Sequence, residues 1–214
     1  MAIGIVAIYD DKLTEGLPII GTGKTQTLVY YQYCEYEEEE RDIYCNFETT
    51  FGEKMGILEI LNKIKEGKIK NASVGISELQ GILNSLGSKS QDILFSEKII
   101  MQLRKRKVKL YWDSQRYMSV VNRVRFFTTI ILKPEKEHLD ETPCYDPECE
   151  KEHLIKIYSE SPYFTEPIQC LIASEVGKLY NTFEFIDDEI NLKSEREQKL
   201  LEKLKEKNNI KPLG

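Results

Sequence analysis

Histidine is scarce in this sequence, a basic surplus is missing, and no apolar run is long. The formal net charge is −6, which excludes a surface that coats nucleic acid indiscriminately and leaves open a local basic patch or the channel of a ring. The five cysteines, an odd number spread from Cys34 to Cys170, do not make the disulfide framework of a small secreted scaffold, so a reducing, cytoplasmic compartment is expected. The apolar opening, Met1 to Tyr9, lacks a basic lead and is far too short for a bilayer, so it reads as a buried strand and no membrane-spanning segment is expected. What remains is 214 residues at 41% hydrophobic content, enough for one sizeable core.

Short β-branched runs alternate with helical stretches. The strand-like runs are Ile3 to Tyr9, Asp42 to Phe47, Ala72 to Ile76, Val108 to Trp112 and Thr128 to Leu132. Between them, Lys24 to Tyr36, Ile57 to Lys65 and Gln91 to Arg106 carry apolar residues at three- and four-residue spacing. This alternation predicts an α/β fold, a mainly parallel sheet flanked by helices. Leu154–Tyr158, Cys170–Ala173 and Thr182–Ile186 follow without long helices between them and are expected as antiparallel edge strands. The expected organisation is a domain over residues 1–190, with a Cys/His-containing hairpin inserted near 134–153, and a charged helix or tail over 191–214.

Gly21-Thr22-Gly23-Lys24-Thr25 opens the first helix. A triphosphate needs backbone N–H groups turned toward it, which favours glycine, and a lysine at the helix start to reach the outer phosphates. Gly21, Thr22, Gly23, Lys24, Thr25 and Gln26 are therefore candidates to bind ATP, and the Thr25 hydroxyl is a candidate magnesium ligand. The usual spacing would put a first glycine at position 18, where this chain has Pro18. The strand ending at Tyr9 also leaves Asp10 to Gly16 to be accommodated unless Leu17–Ile20 forms a short strand. An ordinary Gly/Thr-rich surface turn is the plainer alternative.

A second strand should end in an acidic pair on the magnesium side. Ala72 to Ile76 is followed by Ser77-Glu78, so the glutamate is present and serine stands where aspartate is expected. Glu78 is the candidate to polarise an attacking water, with weakened magnesium binding as the consequence of Ser77. Gln115, just past the fourth strand, is placed to sense the γ-phosphate. Arg123 and Arg125 would project the same way if that segment were extended, and a guanidinium stabilises transferring phosphoryl charge.

The order Gly23-Lys24-Thr25, Cys45-Asn46-Phe47, Glu78-Leu79-Gln80 with Asn84-Ser85, Gln102 to Arg106, Asp113-Ser114-Gln115-Arg116, Asn122 to Arg125 and Leu179 to Thr182 resembles the small P-loop ATPases of archaeal viruses and plasmids. These are similar to the zonular-occludens-toxin and FtsK/HerA group of DNA-moving motors. The resemblance implies an additional-strand, RecA-like fold in which Lys24 and Thr25 hold nucleotide and magnesium, Glu78 is the catalytic base, Gln115 the sensor, and Arg123 or Arg125 the arginine finger of a homo-oligomeric ring that translocates or packages DNA. Pro18 and Ser77 depart from that pattern. Two rival functions stay open: a non-hydrolytic nucleotide-binding assembly factor, and a small kinase-like nucleotide enzyme.

Both histidines fall in His138-x5-Cys144-x4-Cys149-x3-His153. Two thiolates and two imidazoles suit tetrahedral zinc, but the gap between the cysteines is at the wide end, and a charged hairpin tip with incidental cysteines is the simpler reading. Arg104 to Lys109 are basic enough to meet DNA phosphates, yet they equally suit the C-terminal end of a helix. The acidic run Glu37 to Glu40 reads as a solvated loop after the first helix.

Overall fold

The computed structural model describes residues 4–10, 13, 14, 17, 18, 21–81, 97–120, 122–144, 149–160, 163 and 165–181. Ten strands are described: β1 (Ile5–Tyr9), β2 (Leu13–Thr14), β3 (Leu17–Pro18), β4 (Asp42–Cys45), β5 (Glu53–Lys54), β6 (Ala72–Ile76), β7 (Lys109–Ser114), β8 (Ile130–His138), β9 (His153–Ser159) and β10 (Gln169–Ile172). The helices are α1 (Lys24–Glu39), α2 (Ile57–Glu66), α3 (Glu97–Lys105), α4 (Asn122–Phe127) and α5 (Ala173–Gly177). Eight strands form one sheet in the order β10-β9-β8-β1-β7-β6-β4-β5, while β2 and β3 pair only with each other. β1 lies parallel between β7 and β8, β6 parallel between β7 and β4, and β9 and β10 add antiparallel at the far edge.

This is the expected α/β sheet, and its order puts one additional strand, β7, between the strand that leads to the phosphate loop and the strand that ends in Ser77-Glu78. The reason lies in burial. Every residue of β1, β6 and β7 is buried, so these strands need cover on both faces, which parallel sheets receive from crossover helices. Period two divides β1 between the two faces: Ile5, Ala7 and Tyr9 join one core with α2, whereas Val6 and Ile8 join the other with Leu28 and Val29 of α1. α2 contributes Ile57, Ile60, Leu61 and Ile64 as a single buried stripe. Each such side chain contributes roughly 1.5–3 kcal/mol by leaving water. Gly67 ends α2 at φ 81°, a conformation that costs glycine little.

Several boundaries differ from expectation for identifiable reasons. Between β1 and Gly21 the described residues pair as the β2–β3 ladder, in which Leu13 opposes Pro18, so a short strand does begin at Leu17 as the sequence left open. Proline tolerates this because the ladder is an edge with no third strand to serve. Glu37, Glu38 and Glu39 are not a loop but the last turn of α1. Glu39 accepts from Arg41 Nε at 2.8 Å and from Lys109 Nζ at 3.3 Å, so ion pairing holds acids where the helix dipole disfavours them. Residues 122–127 are helical rather than extended, so strand alternation does not apply to Arg123 and Arg125. The expected strand Thr182–Ile186 and the charged segment 191–214 lie outside the described residues. No helix among the described residues is long and apolar enough to cross a membrane.

Candidate functional site

The site sits at the C-terminal ends of the parallel strands, where α1 begins. Gly21 and Gly23 both have left-handed backbone, φ 78° and 89°, which L side chains rarely adopt. Gly23 is also pressed from behind: a Cβ there would lie 2.8 Å from Ile155 Cδ1 on β9. The start of α1 has no side-chain cap and no acid in its first turn, so its N–H groups and dipole are available to an anion. Lys24 is buried and its Nζ donates to Thr22 Oγ1 at 3.2 Å, which keeps the ammonium folded over the loop. Gln26 turns away to the other side, donating to the Ala173 carbonyl at 2.8 Å.

The residue that sequence reasoning passed over is Asp113. It lies near the end of β7, is completely buried, and accepts from the Thr25 hydroxyl at 2.9 Å. Ser77 Oγ donates to the same carboxylate at 3.0 and 3.2 Å, and the Glu78 backbone N–H at 2.6 Å. A carboxylate thus does stand beside position 77, just past β6, but it comes from the neighbouring strand, whose register sets Ile76 beside Trp112. The signal was available in the sequence as an aspartate following Tyr111-Trp112, but only strand order shows that it reaches Thr25. Asn46, just past β4, clamps the turn: its Oδ1 accepts from Ser77 N at 2.8 Å and its Nδ2 donates to Ser77 O at 3.0 Å.

Burial raises the Asp113 carboxyl above its usual range, against the opposing pull of its three donors and Lys24. Glu78 is raised as well, first by burial and then by the Asp113 charge, while Lys24 and a hydrogen bond from Gln115 pull it down. Glu78 sits at φ 53°, an uncommon backbone for glutamate that the Asp113 contact to its N–H helps to hold. Glu78 and Gln115 are thus brought together. Tyr180 lies close enough that the Asp113 charge, after burial, raises its hydroxyl.

No protein-family model matches the sequence, and comparison with curated proteins finds no relative. Among solved structures, the fold is similar to a KaiC-like protein from the hyperthermophilic archaeon Pyrococcus horikoshii, at 10% identity over 79% of this chain and 84% of that one, with a TM-score of 0.47. It is similar too to the N-terminal domain of zonular occludens toxin from Neisseria meningitidis, at 12% identity over 84% of this chain and all of that one, also with a TM-score of 0.47. At that distance the chemistry has to be read from this chain's own side chains.

The arginines are placed differently from Glu78 and Gln115. Arg125 Nε donates to the Val120 carbonyl at 2.9 Å, another nitrogen meets Asn122 Oδ1, and the guanidinium lies over the Tyr117 ring. It is held on its own segment. Arg123 belongs to the first turn of the same helix, and its side chain is outside the described residues. Lys109, included in the basic stretch that suggested DNA contact, is buried and bonds Glu35 at 2.5 Å, so it is a core ion pair and does not face a partner. His138, Cys144, Cys149 and His153 do converge: their donor atoms lie within 4.8 Å of one another.

Proposed function

We propose that this chain binds ATP with magnesium and hydrolyses it, and that Asp113 takes the metal-side place that Ser77 cannot fill. The observation that carries this reading is the 2.9 Å contact between Asp113 and Thr25. A hydroxyl and a carboxylate at that separation are the hard oxygen donors magnesium prefers, and the ion, when bound, neutralises charge developing on the phosphates. The chain's own residues supply the rest. Gly21 and Gly23 turn the loop toward the anion, and Lys24 pairs with the outer phosphates. Glu78, its carboxyl raised toward neutrality, accepts a proton from the attacking water while Gln115 orients it.

The coupled work is DNA translocation or genome packaging by a homo-oligomeric ring, a reading supported by the order of motifs along the chain. A groove lined by Lys70, Lys105, Arg106 and Lys107 adds positive charge on a surface that is otherwise net acidic. Arg123 or Arg125 would serve a neighbour's nucleotide in that ring. The rival reading of a non-hydrolytic binding module rests on Pro18 and Ser77, and Asp113 weakens the part that rests on Ser77.

Exchanging the two positions tests the chemistry. Asp113→Ser should lower magnesium-dependent ATP affinity about 10- to 100-fold, the usual cost of removing a group that orients a metal site. The double exchange Ser77→Asp with Asp113→Ser should recover most of it. Ser77→Asp alone should give no gain, because the new carboxylate would sit beside Asp113 and one of the two would stay protonated. Unchanged magnesium-dependent binding in Asp113→Ser would remove Asp113 from the site. Turnover that is indifferent to DNA would sink the motor while leaving the ATPase.

A further inference from the structure

The hairpin of β8 and β9 carries two histidines and two cysteines that the nucleotide chemistry does not use. Their convergence follows from strand pairing. His138 and His153 are direct cross-strand partners, with ring centroids 4.8 Å apart. Beyond His138 the chain turns back through residues 139–142, Pro143 bridges Glu137, and the Cys144 N–H donates to the Lys136 carbonyl at 3.1 Å. Directly opposed residues share a sheet face, and so do residues two apart along a strand. Lys136, His138, Cys144 and His153 therefore lie on one face by register alone. Cys149, just ahead of β9, brings the fourth donor.

Two nitrogens in this cluster are in an unusual state. His153 is 5% exposed, and its Nε2, like Nδ1 of His138, is buried with no hydrogen-bond partner among the described residues. A buried polar atom left unsatisfied is destabilising, and here two such atoms belong to cross-strand partners. A shared ligand would satisfy both.

We infer that His138, Cys144, Cys149 and His153 form a structural zinc site that locks the β8–β9 hairpin against the phosphate loop. Zinc bonds of about 2.0–2.3 Å place tetrahedral donors roughly 3.3–3.8 Å apart, so four donors already within 4.8 Å need only a small closure. Two thiolates and two imidazoles also make a closed ligand set with no position left for substrate, as a structural site requires. The site reaches the phosphate loop by two routes. Cys144 and Lys136 line a small pocket together with Thr22, and Ile155, two residues after His153, is the side chain that backs Gly23. The metal would thus fix the wall behind the phosphate loop.

The test uses the whole reduced protein and is independent of nucleotide. Purified chain should contain about one zinc per molecule. After exchange, cobalt(II) should give intense visible bands of tetrahedral coordination with thiolate-to-cobalt charge transfer. Cys149→Ser should lose that charge transfer or halve it. Cys170→Ser, which alters an exposed cysteine on β10, should leave it intact. Absence of zinc together with only the weak spectrum of hydrated cobalt in the unmutated protein would overturn the site, with no variant needed. A full charge-transfer band in Cys149→Ser, or its loss in Cys170→Ser, would overturn it equally.

Discussion

Strand β7 buries a charge at each end and treats the two oppositely. At its start, Lys109 is enclosed with Glu35 at 2.5 Å and Glu39 at 3.3 Å, while Tyr111 donates to Glu35 and Arg41 stands 3.6 Å from that glutamate. Toward its end, Asp113 has hydroxyl and N–H donors but no bonded cation among the described residues, and Glu78 beside it adds a second carboxyl. One end is neutralised within the fold. The other holds a surplus of negative charge that a divalent cation would neutralise. The contrast teaches that a buried ion pair marks architecture, whereas buried acids without a cation mark the place where a ligand completes the electrostatics.

The sharpest way to break that contrast is to remove the acid assigned to chemistry. Glu78→Gln should lower ATP turnover about 10²- to 10⁴-fold, the range for a general base, while ATP affinity in magnesium stays near its original value. Single-turnover hydrolysis and equilibrium nucleotide binding separate the two. Turnover that survives the change would mean Glu78 is as structural as Glu35.

At the other end of β7 the expected effect is on stability. Lys109→Met leaves Glu35 buried with only Tyr111 and a more distant Arg41, and should cost about 3 kcal/mol, the low end for breaking a buried pair. Adding Glu35→Gln should recover most of that loss, because the uncompensated charge is what destabilises. Denaturant unfolding of the single and double variants checks this. A double variant as unstable as the single one would show that packing around the Lys109 stem, and not charge, is what matters there.

This asymmetry was half legible in the sequence. Short β-branched runs alternating with helically spaced stretches pointed to the parallel sheet, with Ala72–Ile76 recovered to the residue, because fully buried strands are nearly continuous apolar runs. The Gly-Lys-Thr segment marked the turn into α1, where Gly21 and Gly23 take the left-handed backbone that favours glycine. Asp113 was not legible as a partner of Thr25, because linear order says nothing about which strand lies beside which. The same limit hid Lys109: basic residues next to a helix end look solvated until the fold brings Glu35 across 74 positions. The alternation that paired Arg123 with Arg125 assumed an extended backbone, and residues 122–127 are helical. The gap between Cys144 and Cys149 is at the wide end for zinc, and linear spacing could not show that register puts His138, Cys144 and His153 on one sheet face.

The smallest effect is the most discriminating, because its sign differs between the two ends of β7. The folded-state pKa of Asp113 is raised, chiefly by burial, so the native state binds protons more readily than the unfolded chain. Stability should therefore fall as pH rises from the ordinary carboxylate range through the folded pKa, and stay low above it. Glu78, raised as well, acts in the same direction. Asp113→Asn removes one of the two charges and should raise the melting temperature of the nucleotide-free protein at neutral pH. Magnesium and ATP should reverse the ranking, because only the unmutated protein gains their full binding energy. Thermal melts of both proteins, with and without magnesium-ATP, show whether the curves cross. If the asparagine variant is the less stable one even without nucleotide, Asp113 is a structural acceptor like Glu35, and the two ends of β7 are alike after all.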